Sequence, residues 1–196
     1  MRIGSFSGNG TNGIIFPENS SNGAKQVCTV CTDTALSEIE LECGHQFHKS
    51  CATKALTTKP NGMRCPNCRC DITNGDKITI YELMTEKEPN KAKWRHNLAL
   101  CQMRSTNTDQ HQIGLTNLLK SIEIDQYIHN TWLSLADNWP EDKREVNLRL
   151  DIGDGEPTPI HVNRLQAYSQ VLELDPNNDH ALQWIAYLAE QPEFQR

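Results

Sequence analysis

The chain has 196 residues, enough for one or two domains, with 37 % hydrophobic residues and a net charge of −6. A pI near 5.6 and a mean hydropathy of −0.62 argue against a general nucleic-acid binder, which would carry a basic domain. No run approaches the roughly 18 apolar residues of a membrane span, and the start of the chain lacks the apolar centre of a signal peptide.

Residues 1–24 are punctuated by Gly4, Gly8, Gly10, Gly13, Pro17 and Gly23 and are rich in Asn and Ser. Such a segment buries too little apolar surface to offset its ordering entropy, so a flexible N-terminal segment is expected. Ile14, Ile15 and Phe16 form one apolar island in it, suited to local packing or to docking.

From Cys28 the pattern becomes constrained. It runs C-x2-C, eleven residues, C-x-H-x2-H-x2-C, thirteen residues, C-x2-C. The eight donors are Cys28, Cys31, Cys43, His45, His48, Cys51, Cys65 and Cys68. Thiolate and imidazole are the ligands Zn²⁺ prefers, and two closed tetrahedral sites need eight of them. A unit of about forty residues has too small a core to fold on apolar burial alone, and a structural zinc supplies on the order of 10 kcal/mol. Phe47 is placed to pack between the metals. Cys51 to Leu56 reads as a short helix, and Pro60, Asn61 and Gly62 as a turn. Asp71, Asn74 and Gly75 read as the close of the module. Between Gly44 and Cys70 stand Lys49, Lys54, Lys59, Arg64 and Arg69 with no acidic residue, either a solvated face or a partner surface.

This ligand order resembles the RING-H2 finger over about residues 25–75. In that family the two sites interleave. The resemblance therefore implies one zinc on Cys28, Cys31, His48 and Cys51, and a second on Cys43, His45, Cys65 and Cys68. It implies a short β-hairpin plus a helix around two Zn²⁺. It further implies RING-type E3 ubiquitin ligase activity without a covalent intermediate. The finger would hold an E2 ubiquitin-conjugating enzyme charged with ubiquitin, through Val30, Leu56 and Pro66, and Arg69 would bond both E2 and ubiquitin. Ala55 stands where many such fingers have tryptophan.

From about residue 78 the pattern turns helical. Leu115, Leu118, Leu119 and Ile122 share one helical face, as do Leu165, Tyr168, Val171 and Leu172. The stretch from Tyr81 to Asn90 matches that from Tyr168 to Asn177, with anchor acids at Glu88, Asp125 and Asp175. Ten residues after each acid comes an apolar residue and then alanine: Leu98-Ala99, Leu135-Ala136 and Ile185-Ala186. Bulky Trp94, Trp132 and Leu182 precede these pairs. The pattern resembles tetratricopeptide repeats, so residues 78–193 are expected to form stacked helical hairpins with a concave face for a protein partner. Anchor spacings of 37 and 50 residues depart from the regular 34. The expected core is Leu98, Leu119, Trp132, Leu135, Leu172, Leu182 and Ile185. Val146, Leu148, Leu150 and Ile152 alternate with polar residues, Gly153-Asp154-Gly155 can turn, and Ile160 and Val162 alternate again. An inserted β-hairpin at about 146–162 is therefore expected, projecting from or padding one edge of the array.

Cys70 and Cys101 fall outside the zinc pattern. Six zinc thiolates suit a reducing compartment: the cytoplasm, the nucleus, or a host cytosol for a bacterial effector. Two functions fit. One is an E3 ligase whose repeats recruit the protein substrate. The other is a non-catalytic zinc-finger adaptor or scaffold.

Overall fold

The computed structural model describes residues 27–33, 38–58, 63–151 and 156–194. The N-terminal segment, the turn at Pro60–Gly62 and the turn at Gly153–Gly155 lie outside them. Strands β1 (Ile39–Glu40) and β2 (Gln46–Phe47) pair antiparallel, with Ile39 opposite Phe47. Helix α1 (Lys49–Thr57) follows at once, starting two residues earlier than the pattern suggested. Ile39, Leu41, Phe47, Ala52, Leu56 and Ile72 form the finger's core, joined by Ile80. Each of the larger side chains among these, fully buried, contributes about 1.5–3 kcal/mol.

Ile80 comes from α2 (Asn74–Lys87), so the close expected at Asn74 and Gly75 is instead the first turn of a helix. The reason is the sequence Thr73-x-x-Asp76. The Thr73 hydroxyl accepts the Asp76 N–H at 3.1 Å, and an Asp76 carboxylate oxygen accepts the Thr73 N–H at 3.1 Å. This capping box satisfies two of the four free N–H groups of a helix start. The other Asp76 oxygen accepts the Glu42 N–H at 3.1 Å, and the Thr73 hydroxyl donates to the Glu42 carboxylate at 2.8 Å. The cap thus fastens α2 to the finger. On its far side, the Asn74 amide donates to the Cys101 carbonyl at 2.8 Å.

Helices α3 (Ala92–Met103), α4 (Thr108–Ile124) and α5 (His129–Asp137) follow, each packed on its neighbour. Then come β3 (Glu145–Leu150), β4 (Thr158–Asn163), α6 (Arg164–Leu174), α7 (Asp179–Ala189) and a short 3-10 turn (Pro192–Phe194). Asn107, Asn163 and Asn178 cap α4, α6 and α7 through their side-chain oxygens. The three anchor acids occupy equivalent places: Glu88, Asp125 and Asp175 are the C-caps of α2, α4 and α6. After each, the next helix starts four residues on, at Ala92, His129 and Asp179.

Trp132 and Leu135 are buried, as are Leu98 and both Ala99 and Ala136. Leu119, Leu172 and Ile185 are half-buried against the same core. Leu182 is not a core residue: it is 46 % exposed, and Ala186 is exposed too. Leu98-Ala99 lies on α3, which packs on α4, and Leu135-Ala136 lies on α5, which packs on α6. Among the described residues no helix follows α7 to cover its equivalent pair. Ala181, one turn before Ile185, is buried instead.

The inserted hairpin is present. Val146 pairs with Val162 and Leu148 with Ile160. Val146, Leu148, Leu150 and Val162 turn one face into the helical core, and β3 packs on α4. The hairpin therefore pads the array.

Candidate metal centres

Two C-x2-C knuckles frame the finger, and they share one backbone solution. The Thr32 N–H donates to the Cys28 carbonyl at 2.7 Å, and the Arg69 N–H donates to the Cys65 carbonyl at 2.9 Å. Both donors follow the second cysteine of their knuckle, and both sit in the left-handed region, Thr32 at φ 61° and Arg69 at φ 60°. A non-glycine residue there costs about 1–2 kcal/mol. The tight turn it permits aims both sulfurs of each knuckle to one side. The Thr29 hydroxyl bonds the Asn67 side chain, which joins the two knuckle tips.

Between the knuckles, the turn from β1 to β2 carries Cys43 and His45, β2 leads on to His48, and α1 brings Cys51 round. Eight donors thereby gather into two groups, Cys28, Cys31, His48 and Cys51, and Cys43, His45, Cys65 and Cys68. Within each group the ligand atoms lie within 4.8 Å of one another. His48 Nδ1 is 3.2 Å from Cys31 Sγ and 3.9 Å from Cys51 Sγ, and His45 Nδ1 is 3.4 Å from Cys43 Sγ. Tetrahedral zinc with Zn–S near 2.3 Å sets neighbouring sulfurs about 3.8 Å apart, so both groups fit the ion. With four protein donors each, neither group leaves a vertex for a catalytic water. Their role is to hold the fold.

The surroundings favour a thiolate at one cysteine of each knuckle, Cys28 and Cys68, while burial pushes the Cys65 thiol up. Burial of Cys28 opposes its ionisation, but the N–H groups of His48, Cys31 and Val30 outweigh it and bring the thiol down to about 6. Cys68 also falls to about 6, chiefly through the Cys70 thiol and N–H. Cys70 rises to about 12 in response to the Cys68 sulfur beside it. The two sulfurs are 3.0 Å apart. The C-x2-C-x-C run was visible in the sequence, but Cys70 has no counterpart in the ligand pattern, and its closeness to the second group emerges only in three dimensions.

The other expected site residues divide. Val30 is 43 % exposed on the first knuckle, Pro66 is half-buried on the last, and Arg69 is exposed beside it. Leu56 differs from expectation: it is 1 % exposed and belongs to the finger core, so it offers no area to a partner. Its place in α1 explains this. Ala52 and Leu56 lie four residues apart on the inward face, which leaves Ala55 half-buried at the edge.

Residues 26–69 match the Ring finger domain family. Among curated proteins, the chain is 41 % identical over 58 residues to E3 ubiquitin-protein ligase RFI2 of Arabidopsis thaliana, covering 27 % of this chain and 16 % of that protein. It is 29 % identical over 70 residues to E3 ubiquitin-protein ligase RNF5 of Homo sapiens, covering 36 % and 39 %. It is 32 % identical over 80 residues to probable E3 ubiquitin-protein ligase BAH1-like 1 of Oryza sativa subsp. indica, covering 36 % and 24 %. The chain thus spans from about a sixth to two fifths of these relatives. No described helix is long and apolar enough to cross a membrane. Residues 26–69 are a RING finger domain that carries two zinc-binding groups.

Proposed function

We propose that the chain is a RING-type E3 ubiquitin ligase. Its finger receives an E2 charged with ubiquitin, and its helical array, a tetratricopeptide-like platform, recruits the protein substrate. The observation that carries this is the pair of interleaved four-donor groups, with the knuckle tips joined at Thr29 and Asn67. That joint sets Val30, Pro66 and Arg69 on neighbouring turns of a metal-stiffened surface. The names of the relatives support the same reading.

The chain's own residues supply position rather than bond chemistry. Val30 and Pro66 offer apolar area to the E2. Arg69 presents its guanidinium, whose rigid fork bonds two carbonyl-bearing partners at once. Holding E2 and ubiquitin in one attack-ready geometry turns a loose encounter into an effectively intramolecular transfer to a substrate lysine. The setting is a reducing compartment, where the ligand thiolates persist.

The burial of Leu56 and the small Ala55 favour the second reading, a non-catalytic adaptor, because they shrink the apolar patch. Autoubiquitination of the full, zinc-loaded chain with a panel of E2 enzymes separates the two. Ubiquitin chains with at least one E2 support the ligase. Silence with every E2, from protein that holds two zincs, supports the adaptor.

A further inference from the structure

The second zinc group has a neighbour that its fourfold set does not use. Cys70 Sγ lies 3.0 Å from Cys68 Sγ, nearer than the spacing of about 3.8 Å between two sulfurs on one zinc. Its backbone is fixed rather than drifting: the Cys65 N–H donates to the Cys70 carbonyl at 2.9 Å. Arg64 and Asp71 close a β-bridge immediately outside that bond. The left-handed turn at Arg69 brings the chain back so that Cys70 stands beside the ligand it follows by two residues.

We propose that Cys70 is a reserve ligand of the second zinc group, able to take the vertex of Cys68. The exchange needs no oxidant. The Zn–Cys68 bond breaks as the Zn–Cys70 bond forms, and the Cys70 proton passes to the released Cys68 sulfur across their contact. Charge, proton count and the number of thiolates on the metal are unchanged. After exchange, Arg69 lies inside the metal-closed loop instead of immediately beyond it. This inference rests on the two-zinc reading of the finger and is independent of ligase activity.

The test uses the full chain, purified reduced and loaded with zinc, then with Co²⁺. Zinc per chain is measured by elemental analysis, and thiolate ligation by the sulfur-to-cobalt charge-transfer absorption. Cys65→Ser is the reference for a lost ligand with no reserve beside it, and should fall from two zincs to one. Its failure to do so would indict the zinc assignment rather than the exchange. Cys70→Ser should keep two zincs. Cys68→Ser and Cys68→Ala should keep two zincs and the full charge-transfer intensity, with Cys70 in the empty vertex. Adding Cys70→Ser to either should remove the second zinc or lower the absorption by one thiolate's share. If Cys68→Ser and Cys68→Ala lose zinc or intensity as far as the corresponding double variants do, Cys70 does not ligate and the proposal fails.

Discussion

Gly114 tests how closely the array is packed. It lies in α4, where α-helical propensity favours alanine over glycine by about 1 kcal/mol. Against that gain stands the room available. A Cβ at 114 would sit 2.9 Å from Met103 Cγ, 3.0 Å from the Ala99 carbonyl oxygen and 3.2 Å from Gln102 Cβ. The methionine can swing aside, but the Ala99 oxygen is backbone of α3 and moves only with its helix. Overpacking of this kind costs about 1–3 kcal/mol. The balance is a loss of about 1 kcal/mol, which lowers the melting temperature of a protein this size by about 2–4 °C. All four tryptophans lie in the array, so urea unfolding followed by tryptophan fluorescence reports on it directly. Gly114→Ala should lower the midpoint without changing the slope. A raised midpoint would mean that propensity outweighs the α3–α4 contact, and that the helices part at little cost.

Arg69→Ala should keep two zincs and E2 binding but slow ubiquitin discharge from E2 about tenfold, the effect of losing about 1.4 kcal/mol in the transition state. Arg69→Lys should recover part of that rate in single-turnover discharge, and an unchanged rate in the alanine variant would remove Arg69 from the mechanism. His48→Ala should reduce zinc from two to one and free the α2 amides to hydrogen exchange, while α4 to α6 stay protected; equal loss everywhere would show a single shared core. Ile80→Ala removes a wholly buried side chain and should cost about 2–5 kcal/mol, weakening zinc retention against a chelator as well as helix stability. His96 is held below the usual imidazole range by burial, and its Nδ1 has no hydrogen-bond partner among the described residues. Its folded pKa is therefore lower than the unfolded value of about 6.5, so its contribution is intact above that value and lost as pH falls below it. His96→Gln should flatten the decline in urea midpoint between pH 7 and 5, and an unaltered slope would refute this.

The eight zinc donors were legible because a metal demands particular atoms at particular spacings, and little else tolerates that pattern. The anchor acids were legible for a related reason: each ends a helix, and Glu88, Asp125 and Asp175 occupy one recurring geometry. Alternation betrayed the hairpin at Val146, Leu148 and Leu150. What escaped depended on neighbours far along the chain. Asn74-Gly75 reads as the close of the module until Thr73 and Asp76 are seen to cap a helix, although Thr-x-x-Asp stands in the sequence. Leu56 could face in or out by composition alone, and Ala52 beside it decides for inward. Leu182 is as apolar as its counterparts, but burial needs a covering element, and no described helix covers that face of α7. Cys70 gave only the signal of an extra thiol. The backbone bond to Cys65 is what fixes it next to Cys68.

The fastening of α2 to the finger has a consequence for the order of events during synthesis. A chain emerges N-terminus first, at about 5–20 residues per second. All eight donors are out once Cys68 has emerged, but the finger's core is complete only with Ile80, twelve residues later. Metal capture can therefore precede the seating of the first helix of the array, and we predict that it does. Once seated, α2 offers buried Met84 to the interior and sets the Tyr81 ring, tilted by 31°, near Trp94 of α3, their ring centres 6.4 Å apart. On this prediction the metal-bound end speeds assembly of the array during synthesis, although α4 to α6, once folded, hold without it. Synthesis under zinc limitation should lower the yield of chains with native tryptophan fluorescence, even though every tryptophan lies beyond the finger. An unchanged yield would show that α3 to α7 assemble without that help.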